Sequence, residues 1–167
     1  MAATYNNLYL DARKRLREAG VEGAQLEARE LVCCAAGKSR EQFYRDMALY
    51  ASDPVEEKLA ELLERRLAGE PVAYLIGEWE FYGLGLDITP DVLIPRMDTE
   101  VLAERAILLA RAAGEGARVL DLCAGSGCVG LAVAANVPGC RVVLADVSEA
   151  ALRLCKQNVR RNELTPG

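Results

Sequence analysis

The chain has 167 residues, of which 51% are hydrophobic, and a formal net charge of −5 at pH 7. This length and composition are sufficient for one domain, or for one domain and part of a second, with a buried core. The acidic balance provides no positive field to attract a phosphate backbone, so nucleic acid is a poor candidate substrate.

The residue types that usually carry acid–base or metal chemistry are scarce. The sequence has no histidine, which excludes a Ser-His-Asp triad and removes the commonest metal ligand. None of the six cysteines has the C-x-x-C spacing of a zinc or redox site, and we expect small buried apolar side chains in a reducing compartment. Charged residues precede any long apolar run, and no stretch is as long as a membrane span, so we expect a cytoplasmic protein.

The first seventy residues have the pattern of a small helical bundle. Apolar residues at helical spacing predict one helix over residues 5–19 and a second that ends at Gly37. Ser39, followed three residues later by a glutamine, is a capping-box signature for a short third helix. Asp53, as N-cap before a proline, predicts a long fourth helix that ends at Gly69.

The pattern changes after Pro71. Between residues 74 and 90, aromatic and aliphatic residues alternate with glycines, which predicts two short strands in a β-hairpin. We expect this hairpin to link a helical domain over residues 1–73 to a second domain over residues 91–167.

The second domain begins with an extended segment that ends at Pro95. Asp98 or Thr99 is suited to cap the following helix, and Gly114 and Gly116 are suited to end it. The apolar residues expected to pack from this helix are Val101, Leu102, Ala106, Leu109 and Ala110.

The second domain is organised around residues 118–127. A strand that ends in Asp121 and leads into a loop of small residues, 123–127, predicts a cofactor loop, with a helix beginning at Gly127 or Cys128. The apolar positions of this strand suit burial on both faces of a sheet, and they are Val119, Leu120 and Leu122.

A second strand and helix complete a βαβ pattern. Residues 141–145 are a further buried-strand pattern, and Asp146 follows about 20 residues after the loop, where an acidic side chain accepts from ribose hydroxyls. Ser148 with Glu149 then predicts the start of the next helix.

Two cofactors compete for this loop. Residues 125–130 match the dinucleotide pattern G-x-G-x-x-G, but a dinucleotide loop puts its first glycine directly after the strand. Here Asp121 occupies the strand end; its charge would repel the pyrophosphate of NAD and suits the sulfonium and ammonium of S-adenosylmethionine. We therefore favour S-adenosylmethionine, with NAD and a ligand-free turn as the remaining alternatives. Ser126 has no histidine to activate it, so we expect it to shape the loop.

Several motifs in register resemble one family. Residues 69–77, 93–96, 98–100 and 121–127, with Phe81 between the first two, are similar to the linked signatures of the HemK-type N5-glutamine methyltransferases of peptide chain release factors. This resemblance implies an α/β fold: an N-terminal helical bundle, a β-hairpin linker, and the first part of a Rossmann-like domain that uses S-adenosylmethionine.

The resemblance also implies an activity and its partners. Family members transfer a methyl group to the side-chain amide of the glutamine in the Gly-Gly-Gln loop of class 1 release factors, and the helical bundle would recognise that substrate. Neither nucleic acid nor a membrane is implied. The resemblance assigns no catalytic residue in this chain, and the cofactor-binding residues that it implies are Asp121, Cys123, Ala124, Gly125, Ser126, Gly127 and Asp146.

The sequence departs from the family pattern at three points. Cys123 stands where the family usually has glycine, and Met97 stands where it usually has proline. The Asn-Pro-Pro-Tyr motif, which binds the substrate amide in the family, does not occur in this sequence. We therefore expect the front part of a longer enzyme, with an unpaired apolar sheet edge and negligible activity alone.

Some alternatives remain open from the sequence. An amino-methyltransferase for adenine or cytosine bases shares the cofactor fold, although the acidic balance disfavours it. A non-catalytic helical module that binds a partner is a third possibility. Arg96 and Glu100 have two interpretations: they lie near the substrate side of the domain, or they order the linker and the start of the next helix.

Overall fold

The computed structural model describes residues 3–164, and the chain divides into two compact units after Ile76. The ends of the predicted domains, residues 1–2 and 165–167, lie outside the described residues. Within residues 3–164, no helix combines the length and the apolar character needed to cross a membrane.

The described part of the first unit is a bundle of five helices. The second helix, α2, is central, because it packs against each of the other four. Its buried side chains include Leu31 and Val32, which have no exposed surface. The five helices are α1 (Tyr5–Glu18), α2 (Ala24–Ala36), α3 (Arg40–Asp46), α4 (Asp53–Leu67) and α5 (Val72–Ile76).

The local signals for the first three helices are confirmed. Gly37 takes a left-handed conformation (φ 62°) at the end of α2, which is costly for a residue with a Cβ. Ser39 and Gln42 form both bonds of a capping box: the Ser39 side chain accepts from the Gln42 N–H, and the Gln42 side chain accepts from the Ser39 N–H.

Three details of the fourth and fifth helices differ from the prediction. The N-cap of α4 is Ser52 rather than Asp53, which is the first helical residue and places its charge in the first turn, where the helix dipole favours it. The helix ends at Leu67, before Gly69. Helix α5 was not predicted; its signal is Pro71, whose carbonyl accepts from the amides one turn later.

The second unit contains a hairpin and a βαβ arrangement. Strands β3 and β4 are parallel, with Asp121 opposite Leu144 and Leu122 opposite Ala145. The predicted α/β fold class is therefore confirmed. Its elements are β1 (Glu78–Phe81), β2 (Leu84–Asp87), α6 (Thr99–Ala113), β3 (Arg118–Leu122), α7 (Cys128–Asn136), β4 (Arg141–Ala145) and α8 (Glu149–Arg161).

The hairpin is closed by a two-residue turn. Tyr82 (φ 49°) and Gly83 (φ 76°) both have positive φ, as a type I′ turn requires. The Tyr82 N–H donates to the Glu100 carboxylate at 2.9 Å, which joins the turn to the first turn of α6. For Glu100, this contact supports the second interpretation, a role in ordering the start of α6.

One face of the β3–β4 sheet is covered and the other is open. Helix α7 packs on the covered face, where Val119 and Val142 join a core formed by α6 and α7. On the opposite face Leu120 and Leu122 are 63% and 70% exposed, and Val143 is 59% exposed. The expected burial of β3 on both faces is therefore wrong for residues 3–164, because no element in that range packs on the second face.

Helix α6 buries a different face from the predicted one. Ala103, Ile107 and Ala110 are buried, and only the last of these is among the residues expected to pack. Val101, Leu102 and Leu109 are each more than half exposed. The helix is apolar on several sides, so its periodicity does not determine which side meets α7.

Candidate cofactor site

The predicted site residues meet at one edge of the parallel sheet. Because β3 and β4 run in the same direction, their carboxyl ends lie side by side, and the Ala124 N–H donates to the Ala145 carbonyl at 3.0 Å. Asp121, the loop of residues 123–127 (the cofactor loop) and Asp146 therefore lie together. Ligands of open α/β sheets bind at this edge.

The backbone of the cofactor loop is left-handed at alternate residues. Cys123, Gly125 and Gly127 have φ values of 62°, 56° and 84°. The Gly127 N–H donates to the Ala124 carbonyl at 2.8 Å and closes the turn from which α7 begins. Glycine adopts these angles without strain, whereas Cys123 carries a Cβ in a conformation that L residues rarely take.

The exposure of Cys123 corrects one expectation. We expected small buried apolar cysteines, and Cys33 and Cys155 are buried, but Cys123 is exposed. The reason is its position after the end of β3, where the left-handed backbone directs the chain into the open loop.

Asp121 links the end of β3 to the start of α7. Its Oδ2 accepts from the Gly130 N–H at 2.8 Å, which satisfies an amide of the first helical turn. Burial raises the pKa of this carboxyl, the bond from Gly130 opposes that rise, and the nearby Asp146 carboxylate adds to it. A cation bound beside Asp121 would relieve this unfavourable burial of charge.

Gly130 allows α7 to approach the sheet closely. A Cβ built at this position would lie 2.3 Å from Leu144 Cδ2 and 3.0 Å from Asp121 Oδ2. The last glycine of the G-x-G-x-x-G pattern thus permits helix–strand packing, independently of any ligand.

Asp146 holds the cofactor loop from the neighbouring strand. Its Oδ2 accepts from the Gly125 N–H and its Oδ1 from the Ser148 N–H, both at 2.9 Å. Bonds from these two amides lower the pKa of this carboxyl, so it stays ionised at neutral pH. Each oxygen keeps a further lone pair, as an acceptor of hydroxyl groups requires.

Helix α8 supports the cofactor loop from beneath with residues that the sequence analysis missed. The Cys155 thiol donates to the Gly125 carbonyl at 3.1 Å, and the Asn158 amide donates to the Ser126 carbonyl at 3.0 Å. Burial raises the pKa of Cys155 to about 11, which keeps it a neutral thiol. Cys155 and Asn158 are three residues apart and so lie on one face of α8, which is the sequence signal that could have identified them.

The loop residues divide into an accessible group and a buried group. Ala124, Ser126 and Gly127 are buried, and Ser126 is only 2% exposed. Asp121, Gly125 and Asp146 are partly exposed and Cys123 is exposed, so these four residues are accessible to solvent at the carboxyl edge of the sheet. In the described part of the chain, no group of three or more His, Cys, Asp or Glu side chains is arranged to hold a metal ion.

Two family models match the chain in succession. The model described as PrmC N-terminal domain matches residues 7–77, and the model described as methyltransferase small domain matches residues 85–166. The first match covers the helical unit, and the second covers the sheet and the cofactor loop.

Three curated relatives share the name release factor glutamine methyltransferase. Release factor glutamine methyltransferases from Coxiella burnetii and Geobacter sulfurreducens are each 39% identical, over 84% and 90% of this chain and 50% and 52% of those proteins. The protein of that name from Bordetella pertussis is 45% identical over 82% of this chain and 50% of its own length. The chain therefore spans about half the length of the curated relatives it matches.

Proposed function

The chain belongs to the release factor glutamine methyltransferase family, and on this basis we propose its function. The protein transfers the methyl group of S-adenosylmethionine to the side-chain amide nitrogen of the glutamine in the Gly-Gly-Gln loop of a class 1 peptide chain release factor. That substrate acts in translation termination, which places the reaction in the cytoplasm.

The choice of cofactor rests on one observation: two backbone amides near the loop already donate hydrogen bonds to carboxylates. A pyrophosphate needs free N–H groups in the glycine loop and in the first turn of the following helix. Here the Gly125 N–H donates to Asp146, and the Gly130 N–H donates to Asp121. These two amides are therefore bonded to carboxylates and are not free to bind a diphosphate, which supports a cationic cofactor over NAD.

Each accessible group has a proposed role toward that cofactor. Asp121 lies toward the ammonium and sulfonium groups, residues 123–127 line the methionine and ribose side, and Asp146 accepts from the ribose hydroxyls. S-adenosylmethionine, when bound, supplies an activated methyl group on sulfur. The residues of this chain bind and orient it, and we assign none of them a catalytic role.

The domains have separate proposed tasks. Residues 1–73 form the substrate-recognition domain, residues 74–90 the linking hairpin, and residues 91–167 the cofactor-binding part of the methyltransferase domain. An amide nitrogen is a poor nucleophile, so transfer depends on precise orientation of the glutamine side chain. The open face at Leu120 and Leu122 supports the proposal that residues 1–167 alone do not complete this arrangement.

Calorimetry tests the cofactor assignment. S-adenosylmethionine and NAD are titrated separately into the 167-residue chain, and we expect heat of binding only with the first. Asp146→Asn should weaken binding by about ten- to a hundredfold, since a hydrogen bond to a charged group contributes about 1.5–3 kcal/mol. Glu149→Gln is the matched control, because it removes a nearby exposed carboxylate outside the loop. Binding of NAD alone, or no binding of either cofactor, would contradict the assignment.

A transfer assay tests the reaction. A class 1 release factor is incubated with methyl-labelled S-adenosylmethionine and either this chain or the longer Coxiella burnetii relative. We expect labelled glutamine with the relative and none with the 167-residue chain. Robust transfer by this chain would refute its proposed inactivity, and label on adenine or cytosine of added nucleic acid would support a base methyltransferase instead.

A further inference from the structure

Asn158 is a fully buried amide that contacts two separate parts of the second unit. Its side chain has no exposed surface. Its Oδ1 accepts from the Asp87 N–H at 2.6 Å, and its Nδ2 donates to the Asp87 carbonyl at 3.1 Å and to the Ser126 carbonyl at 3.0 Å. One side chain therefore joins the end of β2 in the hairpin to the middle of the cofactor loop.

These three bonds use the two donors of the amide and its acceptor. A buried primary amide is costly unless it is hydrogen-bonded, and here both of its N–H groups and its oxygen have partners. Aspartate at this position has nearly the same shape but, when ionised, has no donor. Alanine removes all three bonds. The contact thus requires the chemistry of asparagine.

Other contacts from α8 reach the hairpin without joining it to the cofactor loop. Arg161 forms ion pairs with Asp87 at 2.5 Å and Glu78 at 2.7 Å. Asn162 donates to the Gly85 carbonyl and to the carbonyl of Asn158 itself, both at 3.0 Å. Cys155 contacts the loop at Gly125. Asn158 is distinctive because it bonds to both segments at once.

We propose that Asn158 is a positioning residue that couples the hairpin to the cofactor loop. The Asn158 amide donates to both the Asp87 and the Ser126 carbonyls, so a shift of the Ser126 carbonyl also distorts the hydrogen bond to Asp87 at the end of β2. An ordered conformation of the hairpin or of the cofactor loop therefore stabilises the other segment. By linkage, a ligand that orders the loop also orders the hairpin, and an ordered hairpin strengthens ligand binding. This inference rests on the proposed S-adenosylmethionine site, whose occupant supplies the ordering.

Amide hydrogen exchange of the full 167-residue chain tests the coupling. In the wild type, saturating S-adenosylmethionine should slow exchange at the Asp87 amide roughly tenfold, although Asp87 lies outside the cofactor loop. In Asn158→Ala we expect slowing in the loop to persist and slowing at Asp87 to vanish, with a roughly tenfold weaker affinity for the cofactor. Asn162→Ala is the matched control, since it loosens the hairpin at Gly85 and leaves the loop contact in place.

A conservative variant separates coupling from a loss of folding. When ionised, Asn158→Asp keeps the acceptor for the Asp87 N–H and loses the donors to the Asp87 and Ser126 carbonyls. In this variant the Asp87 amide should stay protected in the free protein and should no longer respond to the cofactor. A general loss of structure would instead accelerate exchange throughout the unit. Retention of the Asp87 response in Asn158→Asp or Asn158→Ala would overturn the proposal.

Amide hydrogen exchange in the free protein tests the coupling without the cofactor. If the wild type binds no S-adenosylmethionine, the proposed function fails, and the comparison of Asn158→Ala with the wild type still decides the coupling. We then expect faster exchange both at Asp87 and at Gly127, whose amide bond to Ala124 closes the loop. Faster exchange at Asp87 alone would show that Asn158 only anchors the hairpin.

Discussion

The left-handed backbone at Cys123 leads to a test that separates strain from side-chain chemistry. Its φ of 62° lies in the region where a Cβ approaches the following carbonyl oxygen. Replacing it with glycine removes that clash and leaves the backbone path unchanged. We therefore expect Cys123→Gly to stabilise the second unit.

The expected magnitude is the difference between two opposing effects. The left-handed conformation costs an L residue roughly 1–2 kcal/mol. Glycine also destabilises the folded chain by roughly 0.4–1 kcal/mol, because it gives the unfolded chain more conformational freedom. A net gain of about 0.8 kcal/mol remains, and for a unit of this size it raises the melting temperature by about 3–6 °C.

Cys123→Ala is the matched control for this substitution. Alanine removes the thiol but keeps the Cβ, so it retains the strain, and we expect its melting temperature to stay close to that of the wild type. Both variants are measured by thermal and urea unfolding followed by circular dichroism, with S-adenosylmethionine titrated into each. Glycine keeps the backbone of residue 123, which borders the proposed site together with the side chain. We therefore expect the glycine variant to retain its affinity for the cofactor.

Two outcomes would refute this reasoning. If alanine stabilised the chain as much as glycine, the gain would come from loss of the thiol rather than from relief of backbone strain. If glycine destabilised the chain, the entropy of the unfolded state would exceed the strain at this residue.

Three further predictions concern Gly130, Asp46 and Asp121. Gly130→Ala should lower the free energy of unfolding by about 1 kcal/mol in urea denaturation, because crowding against Leu144 costs about 1–3 kcal/mol and the helix-propensity gain of about 1 kcal/mol offsets only part of that cost. Asp46→Asn should lower the melting temperature of the helical unit at pH 7. The melting temperature of this variant should also fall less than that of the wild type between about pH 4 and 2. Hydrogen bonds from Arg45 and then from Lys38 hold the pKa of Asp46 at about 2, so the wild type gains stability above the unfolded pKa and loses it as pH falls through the folded one. Asp121→Asn should weaken S-adenosylmethionine binding in calorimetry without lowering the melting temperature at pH 7, since burial raises the pKa of Asp121 and its ionised form is destabilising above the unfolded pKa.

Each of these predictions has a result that contradicts it. An unchanged unfolding midpoint for Gly130→Ala would mean that crowding against Leu144 costs no more than the helix-propensity gain. If the melting temperature of Asp46→Asn fell with acid pH as much as that of the wild type, protonation of Asp46 would not be the cause of the acid destabilisation. Strong destabilisation by Asp121→Asn would mean that the amide oxygen does not replace the carboxylate as acceptor for the Gly130 N–H.

Local signals predicted most of the secondary structure because they act over a few residues. The capping box at Ser39 and the left-handed glycine at residue 37 depend only on neighbours in the chain, and both were predicted correctly. Helix α5 was missed because five residues are too few to show a periodicity. Its only sequence signal is the preceding proline.

The sequence by itself determined the order of the elements other than α5. It also determined the position of the loop between β3 and α7, since the strand pattern, the acidic strand end and the small residues are contiguous. The tertiary structure alone decided which face of α6 is buried, which face of the sheet is covered, and that Asn158 meets Asp87 and Ser126. These features depend on residues distant in sequence. An apolar helix is compatible with several packing faces, and a buried asparagine on a helix does not indicate its partners until the chain has folded around it.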